Sequence, residues 1–97
     1  MTNFFPTFAQ EQESLLSQST QTTEAAKLVV YNDNHNTFEW VIESFVQVCH
    51  HSSSQAEQLS YIIHFNGKAT VKSADADTLR PYKEALQERG LSAVIER

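Results

Sequence analysis

Two short stretches hold the side chains best placed to form a site: the run Asn32-Asp33-Asn34-His35-Asn36, and His64 with Phe65, Asn66 and Gly67 behind it. Asn and Asp suit tight turns, so the run reads on its own as a connection between two elements. Yet five polar residues exceed what a strand-to-helix turn needs, and loops held by a rigid scaffold are where binding residues concentrate. His64 closes an apolar stretch. It is either a helix-end histidine favoured by the last carbonyls or part of a site. The other reactive types form no centre. Adjacent His50 and His51 point in different directions, and with His35 and His64 they lack the i, i+4 spacing of zinc ligands, so no metal is expected. Cys49 fits an apolar stripe, and a nucleophilic cysteine would need a base and an oxyanion hole that nothing specifies. Two glycines in the whole chain leave no phosphate loop.

A chain of 97 residues makes one domain with a modest core and little room for a cofactor; none is expected. Its net charge of −5 disfavours nucleic acid, whose backbone calls for clustered Lys and Arg. The acidity is uneven. Residues 1–26 carry Glu11, Glu13 and Glu24 and no base, and Ser17 to Thr23 is entirely Ser, Gln and Thr. Such a stretch buries too little apolar surface to offset its ordering entropy. Residues 1–24 are therefore read as a flexible extension and 25–97 as the folded domain. Phe4, Phe5 and Phe8 fit either a loosely packed tail or a segment that engages a partner. A lone cysteine excludes an internal disulfide framework, and no apolar run approaches a membrane span. A cytoplasmic, monomeric protein without membrane or signal segment is the expectation.

Six elements must position the two stretches. Leu28 to Tyr31 is a β-branched and aromatic strand. Asn36 and Glu39 make a capping pair for a helix whose stripe is Phe38, Val41, Ile42, Phe45, Val48 and Cys49. Ser54 and Glu57 make another, opening a helix lined by Ala56, Leu59, Ile62 and Ile63 that ends near Phe65. Lys68 to Lys72 alternates as a strand. Ser73, Asp75 or Asp77 caps a third helix bearing Leu79, Tyr82 and Leu86, its regular part delayed by Pro81 to as late as Thr78. Leu91 to Glu96 is the last strand. The order β-α-α-β-α-β predicts an α+β fold: a three-stranded antiparallel sheet with helices packed on one face.

At these residues the chain resembles a family. Leu28–Tyr31, Asn32-Asp33-Asn34 and Phe38-Glu39-Trp40-Val41 look like the Asn-Asp turn and following helix of the ClpS family, adaptors of the ATP-dependent Clp protease. Ile63-His64-Phe65-Asn66-Gly67-Lys68-Ala69 is similar to that family's helix end, and the separation of the two blocks matches without a gap. The resemblance covers about residues 26–97. It implies an adaptor rather than an enzyme, which binds N-degrons (proteins beginning with Leu, Phe, Tyr or Trp) and hands them to a Clp-family AAA+ unfoldase, ClpA-like or ClpC-like. The alternative is an interaction module like the C-terminal domain of the ribosomal stalk protein, which shares the element order. The lysine-rich helix face expected there is missing. A hydrolase built on Asp33 and His64 lacks a nucleophile.

The resemblance implies a division of labour. A free N-terminus carries three N–H donors and a positive charge, so its receptor is a cage of acceptors, one of them anionic. Asn32, Asp33 and His64 would form it, His64 as a neutral ring. Val30, Asn36, Phe38, Ser60 and Ile63 would line the pocket for the first side chain. Phe38 and Ser60 stand where the family commonly has Met, which reshapes that pocket. Asp77 and Lys83 would belong to the unfoldase-docking face, where Tyr82 replaces the usual Lys. The unfoldase is expected to grip residues 1–24 during delivery.

Overall fold

A computed structural model describes residues 25–97. The expected extension, with Phe4, Phe5 and Phe8, lies outside the described residues. The elements follow the expected order: β1 (Ala26–Tyr31), α1 (Phe38–Cys49), α2 (Ser53–Asn66), β2 (Lys68–Ala74), α3 (Ala76–Glu88) and β3 (Ser92–Glu96). The sheet is antiparallel with order β2-β1-β3, so β1 is central. That placement explains its composition. Ala26, Leu28 and Val30 are buried on the face that the helices cover, and Val29, on the other face, is buried as well in a strand flanked on both sides.

Ala26, Leu28 and Val30 join Phe45, Ile63, Leu79 and Leu86 in a single core between the sheet and the helices. The stripe read in α1 is observed for Val41, Ile42, Phe45, Val48 and Cys49, with Phe45 fully buried, whereas Phe38 turns to the cleft and Ser44, outside the stripe, is fully buried. Helix α2 differs from its sequence reading. Its inward line is Ala56, Ser60 and Ile63, whereas Ile62 is exposed. A serine is tolerated in the core because its hydroxyl donates to the Ala56 carbonyl at 2.8 Å, one turn back. His51 is also structural. Its Nε2–H donates to the Val71 carbonyl at 2.9 Å, tying the α1–α2 connection to β2, and burial lowers its pKa.

The helix starts correct the sequence reading at three places. Thr37, not Asn36, caps α1: its hydroxyl accepts from the Trp40 N–H, and the Asn36 side chain is engaged elsewhere. Ser52, not Ser54, caps α2 through the Gln55 N–H. Each true cap sits at the last extended backbone position, the only place from which its oxygen reaches the third helical N–H. Asp75 caps α3, which begins at Ala76 rather than as late as Thr78 and contains Pro81. Cap, buried Leu79 and buried Leu86 hold the helix across the donor that proline lacks.

The turn after α3 is fastened to α1. The Trp40 indole donates to the Arg89 carbonyl at 2.8 Å, and the Arg89 guanidinium lies 4.3 Å over the Trp40 ring. Arg89 Nε also donates to Ser44 Oγ at 3.0 Å. These contacts fix the ground on which the loop between β1 and α1 rests.

Candidate functional site

The two stretches singled out by residue type meet because one backbone bond joins them. The Asn32 N–H, at the exit of β1, donates to the Gly67 carbonyl at 2.8 Å, at the end of α2. Gly67 permits this by adopting φ +95°, a backbone conformation that L side chains rarely take. Its own N–H closes α2 on the Ile63 carbonyl at 2.9 Å. A Cβ added there meets nothing within 4 Å. Gly67→Ala is therefore expected to cost about 1–2 kcal/mol through the backbone alone. A lower urea midpoint with an unchanged slope is the expected reading; an unshifted midpoint would show that residue 67 relaxes without strain.

Asp33 organises the loop. Its Oδ1 accepts from the His35 N–H at 2.9 Å, the Asn36 N–H at 3.0 Å and Asn36 Nδ2 at 3.1 Å. Its Oδ2 accepts from Asn36 Nδ2 at 2.9 Å. Burial by itself pushes the carboxyl up. The Asn36 and His35 N–H groups and the Asn36 amide outweigh it, and Asp33 is held below the ordinary value of 3.8. The carboxylate is thus anionic throughout the neutral range and pinned in direction. Asn36 extends the anchoring, since Nδ2 also donates to the Gly90 carbonyl at 3.0 Å. Loop, carboxylate and the α3–β3 turn are one connected unit.

An open cleft of about 510 Å³ lies between this loop and the ends of α1 and α2. Of the predicted cage, Asn32, Asp33 and His64 all face it. Asn36, Phe38, Ser60 and Ile63 line it as well. Val30 does not. It is buried in the core and lines a smaller recess behind the same loop, with Asn36, Val41 and Ile63. The reason is the strand's pleat, which turns Val30 toward the helices beneath the cleft floor.

Four lining residues escaped the sequence reading: Asn34, Val41, Tyr61 and Phe65. Asn34 lay within the polar run and Val41 on the α1 stripe, so neither stood out. Phe65 lay beside His64 without a role of its own and Tyr61 drew no reading, though positions 61, 64 and 65 share one face of α2. The Tyr61 ring lies 4.7 Å from Phe38 and 6.3 Å from Phe65, nearly parallel to the latter. His64 meets Phe65 edge-on at 4.9 Å.

Asp77 and Lys83 are elsewhere, on α3. Asp77 is exposed and pairs with Arg80 at 2.9 Å. Six residues of helix separate Asp77 from Lys83, which puts them about 120° apart around the axis, so they do not form one contact point. Cys49 is buried, and that burial pushes its thiol up to about 11. Among the described residues no group of three His, Cys, Asp or Glu is arranged to hold a metal ion, and no helix is long and apolar enough to cross a membrane.

A three-stranded α+β domain with an acceptor-lined, aromatic-walled cleft suits the binding of a small polar and apolar group together. Its relationships agree. The family model of the ATP-dependent Clp protease adaptor protein ClpS matches residues 21–94. The chain belongs to the ClpS family and is an adaptor of that class, which decides against the ribosomal stalk alternative. A comparison with curated proteins finds no match. Among solved structures, Agrobacterium tumefaciens ClpS2 bound to L-phenylalaninamide superposes with a TM-score of 0.69 at 23% identity, covering 75% of this chain and 95% of that one. At that identity the likeness speaks for the fold.

Proposed function

We propose that this adaptor binds the N-termini of proteins beginning with Leu, Phe, Tyr or Trp and delivers them to a Clp-family AAA+ unfoldase, ClpA-like or ClpC-like, for degradation in the cytoplasm. One observation carries the reading. A carboxylate pinned by three donors, an asparagine and a histidine open on the same cleft as a wall of apolar and aromatic side chains. The acceptors suit an ammonium, and the wall suits the side chain attached to it. The ligand of the Agrobacterium protein, L-phenylalaninamide, combines those two groups.

In this mechanism Asp33 supplies the charge, while Asn32 and a neutral His64 supply further acceptors for the remaining N–H groups. An internal peptide N–H offers one donor and no charge, so it leaves the cage unsatisfied. Each such unpaired group costs about 1–3 kcal/mol. Phe38, Ser60 and Ile63 take the first side chain, whose burial contributes roughly 1.5–3 kcal/mol. Asn36 acts mainly by holding Asp33 rather than as a rim contact. Asp77 and Lys83 on α3 contribute to unfoldase docking, from separate faces of the helix, and residues 1–24 are the segment the unfoldase engages. The protein releases its ligand chemically unchanged and is not an enzyme.

The test is fluorescence anisotropy with a labelled peptide beginning with Phe and its N-acetylated twin. The free peptide should bind at least tenfold more tightly, the factor expected when a charge-assisted cage of about 1.5–3 kcal/mol is lost. Equal affinity for the two would sink the ammonium assignment.

A further inference from the structure

The cleft continues past the groups that the proposed function uses. Phe38, Tyr61 and Phe65 form a row of rings, and exposure rises along it: Phe38 is half-buried, Tyr61 is 47% exposed and Phe65 is 74% exposed. Tyr61 and Phe65 stand one turn apart on α2, with planes within 13° of each other, so they present a shared, wet aromatic surface. A phenylalanine that open to water is an unusual end for a helix whose inward line lies on the opposite side at Ala56, Ser60 and Ile63. It belongs to the cleft rather than to a separate face, because both rings line it together with Asn32, Asp33 and His64.

From this we infer that Tyr61 and Phe65 form a second subsite, which takes the side chain of the second residue of the bound chain and favours an aromatic one. The inference rests on reading the cleft as an N-terminus site. Its occupant follows from continuity. His64, in the cage, is the immediate neighbour of Phe65 and meets its ring at 4.9 Å. Phe38, which takes the first side chain, adjoins Tyr61 at 4.7 Å, so the shelf borders both the ammonium cage and the first pocket. With the first side chain in that pocket, the next residue of the chain, one Cα step of about 3.8 Å further on, is the first one left to meet the shelf. Two nearly parallel rings offer faces for offset stacking or an edge-to-face partner, a geometry that rewards an aromatic side chain beyond its buried area. A glycine at the second position forgoes both terms.

The experiment measures the affinities of three labelled peptides that begin with Phe and carry Gly, Leu or Trp second, for the full chain and for Phe65→Ala and Phe65→Tyr. The wild-type protein should prefer Trp over Gly by about three- to tenfold, with Leu between them. Phe65→Ala should bring the ratio of the Trp peptide to the Gly peptide below twofold, and Phe65→Tyr should restore it. The ratio is the readout because a general loosening of α2 would weaken all three peptides alike. Wild-type affinities that do not depend on the second residue, or a ratio that survives Phe65→Ala, would overturn the subsite while leaving the ammonium site intact. Failure of the underlying reading looks different: acetylated peptides would then bind as well as free ones. Sedimentation of the same variants tests the other occupant. Self-association that Phe65→Ala abolishes, with the peptide ratio unmoved, would assign the shelf to a second copy of this chain and refute the inference.

Discussion

Asp33→Ala should weaken binding of a Phe-initiated peptide by roughly 30- to 150-fold, the loss of about 2–3 kcal/mol expected when the anionic partner of a bound ammonium is removed. Two effects add in this variant. The ligand loses its charged acceptor, and the loop loses the carboxylate that gathers the His35 and Asn36 N–H groups. Asp33→Asn separates them. It keeps an oxygen of similar shape for the loop but not the charge, and about a tenfold loss is expected. Wild-type affinity in either variant would show that the carboxylate is a loop anchor and nothing more. The pH dependence has a definite sign. The folded carboxyl titrates below 3.8, so its contribution to stability is present at neutral pH and is lost only as pH falls through that lower folded value. Asp33 therefore stays charged on mild acidification. Any loss of affinity between neutral pH and pH of about 5 is thus not expected to come from Asp33. An Asp33→Asn protein with the same mildly acidic profile as wild type is the expected control.

Phe45→Ala should destabilise the domain by about 3–5 kcal/mol, the range for truncating a fully buried aromatic in a core that relaxes only partly. Phe45 is 0% exposed and sits on α1 where the helices meet the sheet. His51 lies edge-on to it at 6.4 Å, so the cavity would also loosen the connection that His51 pins to β2. Because small domains are stable by only about 5–15 kcal/mol, the variant is expected to lose a large share of its folding free energy. Urea titration followed by tryptophan fluorescence would report it, since Trp40 is the one tryptophan and stands on the same helix. A change below 1 kcal/mol would mean that neighbouring side chains refill the space.

The sequence was informative where a local rule acts alone. The order of the six elements, the α1 stripe around Phe45 and the burial of Cys49 follow from periodicity and β-propensity within single segments. The caps were legible in kind but not in position. Asn36, Thr37, Ser52 and Ser54 are all competent capping types, and which of them caps depends on where the backbone leaves the extended region. Asn36 loses to Thr37 because its amide is held by Asp33 and by the Gly90 carbonyl, a partner 54 residues away. Helix α2 misled for another reason. A buried serine and an exposed isoleucine invert the hydropathy rule, and only the packing of Ser60 beneath the cleft shows why.

For the site, residue type and spacing alone determined that an acidic, asparagine-rich turn and a terminal histidine were the places to look, because carboxylate, amide and imidazole chemistry is carried by the side chain itself. Whether they belonged to one site was not in either segment. The tertiary structure decided it through the Asn32–Gly67 bond, which brings the exit of β1 to the end of α2. It also decided that Val30 lies beneath the cleft and that Tyr61 and Phe65 extend it. Facing is a property of two elements packed together, and a linear pattern specifies each element's stripe without specifying what stands across from it.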